Sequence, residues 1–209
     1  MFFLRTGDQL TSGARDFLQR ERVEIRPARE AGAELYELLS GGWIREKPEH
    51  MTHLRGNVLV SKAHPRIRFR GKLDSLQSAI LLTGLHAPEA LSRLQEILEL
   101  SHRILRADVL EEPLEEKPLC GMDEAEIHRR SHFPQDYYGI PHFMPGPGDG
   151  QTVLWLNWLR CQVRETELAA ARAFHDREGN PTRPELLKAL NRMSSMVYIL
   201  MIEKKAGKI

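Results

Sequence analysis

Arg160, Arg164 and Glu167 lie in one helical stretch, Thr152 to Asp176, and their spacing is that of a phosphate site. At about 100° per residue the three fall within about 60° of one another, with Asn157 close by, so two guanidiniums and a carboxylate share a face. Planar guanidinium forks match phosphate oxygens, and an acid behind them holds the forks or reaches a metal or a ribose. The same residues also fit a solvent-facing stripe with a helical ion pair, worth about 0.2–0.5 kcal/mol. A second group, Asn191-Arg-Met-Ser-Ser195, stands inside the apolar frame Leu187, Leu190, Met193, Val197 and Leu200. Mid-helix Asn and Ser compete with the backbone, so the cluster marks either a buried polar contact between helices or a site. Lys62-Ala-His-Pro-Arg66, with Arg68, Arg70, Lys72 and then Asp74, is a basic run that reads as a solvated face. His128 and His132 have metal-ligand spacing without a third ligand in view. Trp155 and Trp158 read as core or subunit-interface anchors, and Cys161 as packing.

These residues need helices to position them. Apolar periodicity predicts helices over about 69–86, over a long segment opened by Pro88, over 123–132, over 152–176 and over 183–205. The last two are split by Gly179-Asn180-Pro181, and the Pro/Gly-rich segment 133–150 is long for a connector, a length that usually serves function. Upstream, Thr11 or Ser12 caps a short helix, Val23 to Pro27 alternates like a strand, and Ala28 to Ser40 reads as a helical stretch stopped by Gly41-Gly42. Residues 47–65 read as an ordered loop or arm, with Val58, Leu59 and Val60 as its apolar cluster. No parallel-sheet rhythm is visible. The expectation is an all-α four- to five-helix bundle over 47–209 behind a small α/β extension over 1–46.

The chain has 209 residues with 30 Lys plus Arg against 29 Asp plus Glu, so bulk charge calls for neither nucleic acid nor an anionic membrane. Two cysteines, Cys120 and Cys161, are too few for a disulfide framework or a Cys-rich zinc site. The longest apolar run, Met196 to Ile202, is far short of a membrane span, and the N-terminus lacks a signal-peptide plan, so a soluble cytoplasmic protein is expected.

Together the stretches resemble the cobalamin adenosyltransferase superfamily, and within it the ethanolamine-utilization (EutT) branch. The resemblance is carried by Lys47-Pro48 with Met51-Thr-His-Leu54, Val60-Ser-Lys-Ala-His-Pro-Arg-Ile67, Phe69-Arg-Gly-Lys-Leu-Asp74, and Ile104-Leu-Arg-Ala-Asp108 with Glu112-Pro113. It continues through Ile127-His-Arg-Arg-Ser-His132, Leu159-Arg160, Val163-Arg-Glu-Thr-Glu167 and Ala189-Leu-Asn-Arg-Met-Ser-Ser195. The N-terminal Leu10-Thr, Ala14-Arg and Val23-Glu-Ile-Arg26 are similar to that branch's leader, which the diol-utilization (PduO) branch lacks.

The resemblance implies transfer of the 5′-deoxyadenosyl group of ATP to cob(I)alamin, giving adenosylcobalamin and tripolyphosphate. It implies ATP with Mg²⁺, a cobalamin substrate, a cobalamin reductase as partner, a homo-oligomer with the trimer favoured, and association with a bacterial microcompartment. By motif position it makes Arg160, Arg164, Glu167 and Asn191 nucleotide-binding residues, and Thr52, Gly56 and Lys62 a phosphate-wrapping arm. Asp74 matches an acid that pairs across the subunit interface with the residue matching Arg160. Phe143, in His142-Phe-Met-Pro-Gly146, matches an aromatic under the corrin, which makes Arg160, Arg164 and Phe143 the catalytic set. Thr6-Gly-Asp8 is similar to an arm sequence of the PduO branch, but its distance from Lys62 argues for coincidence. Two departures stand out. Metal-dependent members of the EutT branch carry a His and three Cys before the matching Lys-Pro; Leu35 to Glu46 has neither residue type, which implies a variant without that metal site. Ser195 stands where the PduO branch has Asp. The competing readings are a non-catalytic corrinoid- or nucleotide-binding delivery or sensor module, and a compartment scaffold.

Overall fold

The computed structural model describes residues 2–4, 9–27 and 35–209, which form two compact units, Met1–Ile67 and Arg68–Ile209. Thr6-Gly-Asp8 lies outside the described residues.

The first unit holds β1 (Phe2–Leu4), α1 (Ser12–Arg20), β2 (Ile25–Pro27), β3 (Tyr36–Leu38), β4 (Trp43–Ile44), β5 (Met51–Arg55) and β6 (Val58–Ser61). The Thr11 hydroxyl caps α1 by accepting the Ala14 N–H at 3.2 Å, the role its residue type predicts. The strands form one sheet in the order β2-β1-β4-β3-β6-β5, with β1 parallel to β2 and β3 parallel to β6. This corrects two expectations. Residues 36–38 are a strand rather than the end of a helix, while 28–34 of that expected helix lie outside the described residues. Gly41 and Gly42, at φ +96° and +88°, turn the chain from β3 into antiparallel β4, so a glycine pair suited to stopping a helix serves here to reverse a strand. A Cβ on Gly42 would run into the Phe2 ring. The expected loop at 47–65 instead contains the β5–β6 hairpin, closed by Gly56-Asn57. Only Leu54 of β5 is buried, so that strand lacks the alternation that announces one. Sheet thus extends beyond residue 46 to residue 61, and the chain as a whole is predominantly helical rather than all-α.

Arg68–Ile209 is built of helices. Here α2 (Pro65–His86) is followed by a 3₁₀ turn over Pro88–Ala90, α3 (Leu91–Leu110), α4 (Glu124–His132), α5 (Pro134–Tyr138), α6 (Gly150–Ala173) and α7 (Pro184–Lys205). Pro88 and Pro184 sit at first turns, where the missing N–H costs nothing, and the Asp123 carboxylate caps α4 through the Glu126 N–H at 2.7 Å. α7 is the innermost helix: from Met196 to Glu203 every residue but Tyr198 is buried. Burial of each Met, Val, Ile or Leu there contributes about 1.5–3 kcal/mol, so α7 is the element on which the others assemble. The core continues through Phe69, Leu73 and Leu76 of α2, Ile97 and Ile104 of α3, and Leu156, Leu159 and Val163 of α6. The Phe69 ring meets Phe174 edge-on at 5.3 Å. Two charged pairs are set into this unit: Asp108, fully buried, accepts from Arg70 Nε at 2.6 Å, and buried Glu203 pairs with Arg93. No helix among the described residues is long and apolar enough to cross a membrane.

The cysteines behave oppositely. Burial, with Glu96 nearby, pushes the Cys120 thiol up to about 12, and its S–H lies 3.6 Å from the Arg93 carbonyl. Cys161, expected to pack, is exposed, because one helical step beyond Arg160 leads away from the core. At pH 8 a thiol reagent is expected to modify one cysteine per chain, and peptide mapping should place it at Cys161, with Cys120 reacting only in denaturant. Equal labelling of both in the folded protein would contradict the packing of Cys120.

Candidate functional site

The middle turns of α6 and α7 flank a cavity of about 840 Å³ in Arg68–Ile209. Its wall includes Arg160, Arg164 and Glu167 of α6, Asn191, Ser194, Ser195 and Tyr198 of α7, and His142, Phe143 and Met144 of the long loop. Five of the residues singled out in the sequence, Arg160, Arg164, Glu167, Asn191 and Phe143, therefore meet at one place. Two turns of α7 separate Asn191 from Tyr198 and keep them on one face.

The polar contacts show why the cluster is more than a solvated stripe. No helical ion pair forms between the arginines and Glu167. The Glu167 carboxylate instead accepts from the Asn191 amide at 3.1 Å, joining α6 to α7. Among the described residues neither Arg160 nor Arg164 is neutralised by a carboxylate. Arg160 makes a long contact to Asn157 Oδ1 at 3.5 Å and stands over the Tyr198 ring at 5.6 Å, while its buried Nε has no hydrogen-bond partner among the described residues. A buried donor without a partner costs about 1–3 kcal/mol unless something supplies an acceptor. The site is thus open to a polyanion, with donors already held in place.

The loop wall is apolar and pinned. Phe143 is half-buried against the core, its ring 6.1 Å from that of Tyr198, with Lys205 Nζ 4.4 Å from its centroid. Lys205 also pairs with Asp149, whose other oxygen accepts the Gly146 N–H at 2.8 Å. The Lys205 contact, followed by the Gly146 N–H, holds the Asp149 carboxyl below its ordinary value. A carboxyl lowered on folding stabilises above its unfolded pKa and is lost as pH falls through the folded one, so this tie loosens only in acid below the usual aspartate range.

The remaining predicted residues lie elsewhere. Thr52 is in β5, Gly56 in the hairpin turn at φ +43°, and Lys62 just after β6, all in the first unit. Asp74 is exposed on α2 and does not line the cavity. His128 and His132 stack at 4.0 Å, and the His132 Nδ1 donates to the His128 carbonyl at 2.9 Å. The charge of His132 leads the effects that lower the His128 imidazolium. Among the described residues no cluster of three or more His, Cys, Asp or Glu is arranged to hold a metal. Trp155 is half-buried, stacked at 4.2 Å on His86, and Trp158 is 38% exposed, so neither is a core anchor in the single chain. Sequence reasoning passed over Tyr198 and His142. The spacing of Tyr198 from Asn191 was the available signal, but a single aromatic in an apolar helix reads as core.

In this helical unit α6 presents an open pair of guanidiniums to a cavity shared with α7 and an aromatic loop. Residues 43–203 match the cobalamin adenosyltransferase family, and the chain belongs to it. Among named relatives, the corrinoid adenosyltransferase EutT of Salmonella typhimurium strain LT2 is 39% identical over 160 residues, covering 76% of this chain and 60% of the relative. The corrinoid adenosyltransferase EutT of Escherichia coli K12 is 38% identical over 160 residues, with the same coverage. The chain spans about 60% of the length of the curated relatives it matches. No solved structure matches it.

Proposed function

We propose that this protein is an ATP:cob(I)alamin adenosyltransferase serving ethanolamine utilization. The observation that carries this reading is the pair Arg160 and Arg164, unneutralised on one cavity wall with the Glu167–Asn191 pair and Phe143. In the reaction cobalt(I) attacks the ATP 5′ carbon, the carbon–oxygen bond breaks, and its electron pair leaves on tripolyphosphate. Cobalt(I) needs no protein base, so the protein's task is orientation and stabilisation of the departing negative charge. Arg160 and Arg164 supply that stabilisation, Glu167 and Asn191 orient the nucleoside end, and the resemblance assigns Thr52, Gly56 and Lys62 to phosphate binding. Glu167 is the one carboxylate lining the cavity and is already engaged by Asn191. A Mg²⁺ arriving with the triphosphate would neutralise part of the leaving group's charge, with Glu167 the nearest protein carboxylate on the described cavity wall. The cavity volume lies within the roughly 300–1,000 Å³ usual for small-molecule sites.

Reduction of cob(II)alamin is the harder step, and Phe143 excludes the lower axial ligand that opposes it. Phe143→Ala is expected to lower the rate about tenfold more when the assay starts from cob(II)alamin with a reductant than from pre-reduced cob(I)alamin. Equal losses in the two assays would contradict the wedge.

Residues 68–209 form the helical bundle of the enzyme within an adenosyltransferase domain over 47–209, and copies assemble as a homo-oligomer, a trimer by resemblance. Support comes from exposed Asp74, whose carboxylate makes no ion pair among the described residues and is the acid that the resemblance pairs with the partner subunit's Arg160. Exposed Leu81, Leu85 and Trp158 add an apolar face for such contacts. A cobalamin reductase supplies electrons, and the setting is the cytoplasm with its microcompartment. Anaerobic incubation with ATP, Mg²⁺ and chemically reduced cobalamin is expected to yield a light-sensitive carbon–cobalt bond; no product above the protein-free control would overturn the enzymatic reading in favour of a delivery module.

A further inference from the structure

The cavity wall contains a side chain that touches both Arg160 and the loop, and the reaction as proposed assigns it nothing. Tyr198 sits at the centre of α7's cavity face. Its ring lies under the Arg160 guanidinium at 5.6 Å. Its hydroxyl accepts the Phe143 backbone N–H at 3.4 Å and lies 3.1 Å from His142 Nδ1. His142 Nε2 donates in turn to the His132 carbonyl at 3.1 Å. That last contact fixes the neutral ring's tautomer: with the proton on Nε2, Nδ1 is the acceptor, so the Tyr198 O–H donates to it. The result is a directed chain from Phe143 N–H through the Tyr198 hydroxyl and the His142 ring to the end of α4, with every member satisfied.

We propose that Tyr198 is a positioning residue that couples the Arg160 end of the phosphate clamp to the loop carrying Phe143. The ring face holds Arg160 by its quadrupole, and the hydroxyl holds the loop at the residue that must wedge under the corrin. When a triphosphate draws the Arg160 guanidinium to itself, the ring under it and the loop on its hydroxyl respond together, so nucleotide binding readies the corrin side of the cavity. The two halves of the coupling are separable because they use different parts of one side chain. This inference rests on the adenosyltransferase reading for its kinetic consequence, but the structural link does not.

Tyr198→Phe keeps the ring and removes the hydroxyl; Tyr198→Leu removes both. For Tyr198→Phe the rate from cob(II)alamin is expected to fall about tenfold more than the rate from pre-reduced cob(I)alamin, and Tyr198→Leu is expected to raise the KM for ATP about tenfold as well. Hydrogen exchange of the peptide containing Phe143 supplies a readout independent of turnover. It should quicken in Tyr198→Phe relative to the wild type without ATP, and ATP should slow it in the wild type but not in the variant. Unchanged exchange in Tyr198→Phe overturns the link whether or not the wild type is active. Equal losses from both cobalt states in an active enzyme reduce Tyr198 to a packing residue and also overturn the proposal. A wild type that makes no product, with the exchange effect intact, overturns the proposed function and leaves the coupling standing.

Discussion

Replacing Arg160 or Arg164 by alanine is expected to lower kcat/KM for ATP at least about tenfold each, about 1.4 kcal/mol of transition-state stabilisation. The double variant should lose about a hundredfold or more. The expectation follows from what the two guanidiniums lack. Neither is neutralised within the chain's described residues, and the Arg160 Nε is buried without a partner. Such donors are costly in the free protein and repay that cost only when an anion arrives. Charge builds on the leaving tripolyphosphate as the bond to the 5′ carbon breaks, so the contact strengthens toward the transition state and kcat should fall with kcat/KM. Lysine at either position keeps the charge but loses the planar fork, and should recover only part of the rate. Steady-state kinetics with pre-reduced cob(I)alamin measure this; wild-type rates in both single variants would remove the clamp.

Asp108→Ala is expected to destabilise Arg68–Ile209 by about 3–5 kcal/mol, read as a lowered midpoint in urea with an unchanged slope. Asp108 is fully buried and Arg70 is 15% exposed, so removing the carboxylate leaves a guanidinium largely out of water. The pair joins α2 to α3, which fixes the start of the helix that carries Asp74. The loss measures the cost of a largely buried guanidinium deprived of this carboxylate more than the worth of the pair. A double replacement by apolar residues of similar volume, such as Arg70→Met with Asp108→Leu, should therefore regain much of the stability. A shift no larger than that of an exposed ion pair, about 1 kcal/mol or less, would contradict this account of the pair.

The long helices of residues 68–209 were legible because each buries a 3.6-residue stripe, and the starts at Pro88, Asp123 and Pro184 follow from capping chemistry, whereas the five-residue α5 falls inside the expected connector 133–150 and is too short to show a period. The shared face of Arg160, Arg164 and Glu167 was legible for the same reason. Its partner choice was not: spacing favours an ion pair within α6, while the fold turns Glu167 to Asn191 on α7. In the first unit the strand over Ile25–Pro27 was legible in the alternation from Val23 to Pro27, while the other strands escaped because they are two to five residues long and because Gly41-Gly42 suits either a helix stop or a strand reversal. Cys161 was assigned to packing and the two tryptophans to a core or a subunit interface, and their positions put Cys161 and Trp158 on a face that the single chain leaves open. Tyr198 shows the same limit from the opposite side: its residue type belongs in a core, and only the loop folded over it gives its hydroxyl a task.

The central claim is that the cavity between α6 and α7 transfers the 5′ carbon of ATP and releases the whole triphosphate. Phosphorus NMR of an anaerobic reaction with pre-reduced cob(I)alamin, read beside the optical yield of adenosylcobalamin, tests it most directly. The account predicts one tripolyphosphate for each carbon–cobalt bond in the wild type and, in the Arg160→Ala, Arg164→Ala double variant, formation of both products slowed about a hundredfold or more. Release of ADP, AMP or pyrophosphate in step with any product, or product formation by the double variant at the wild-type rate, would contradict it.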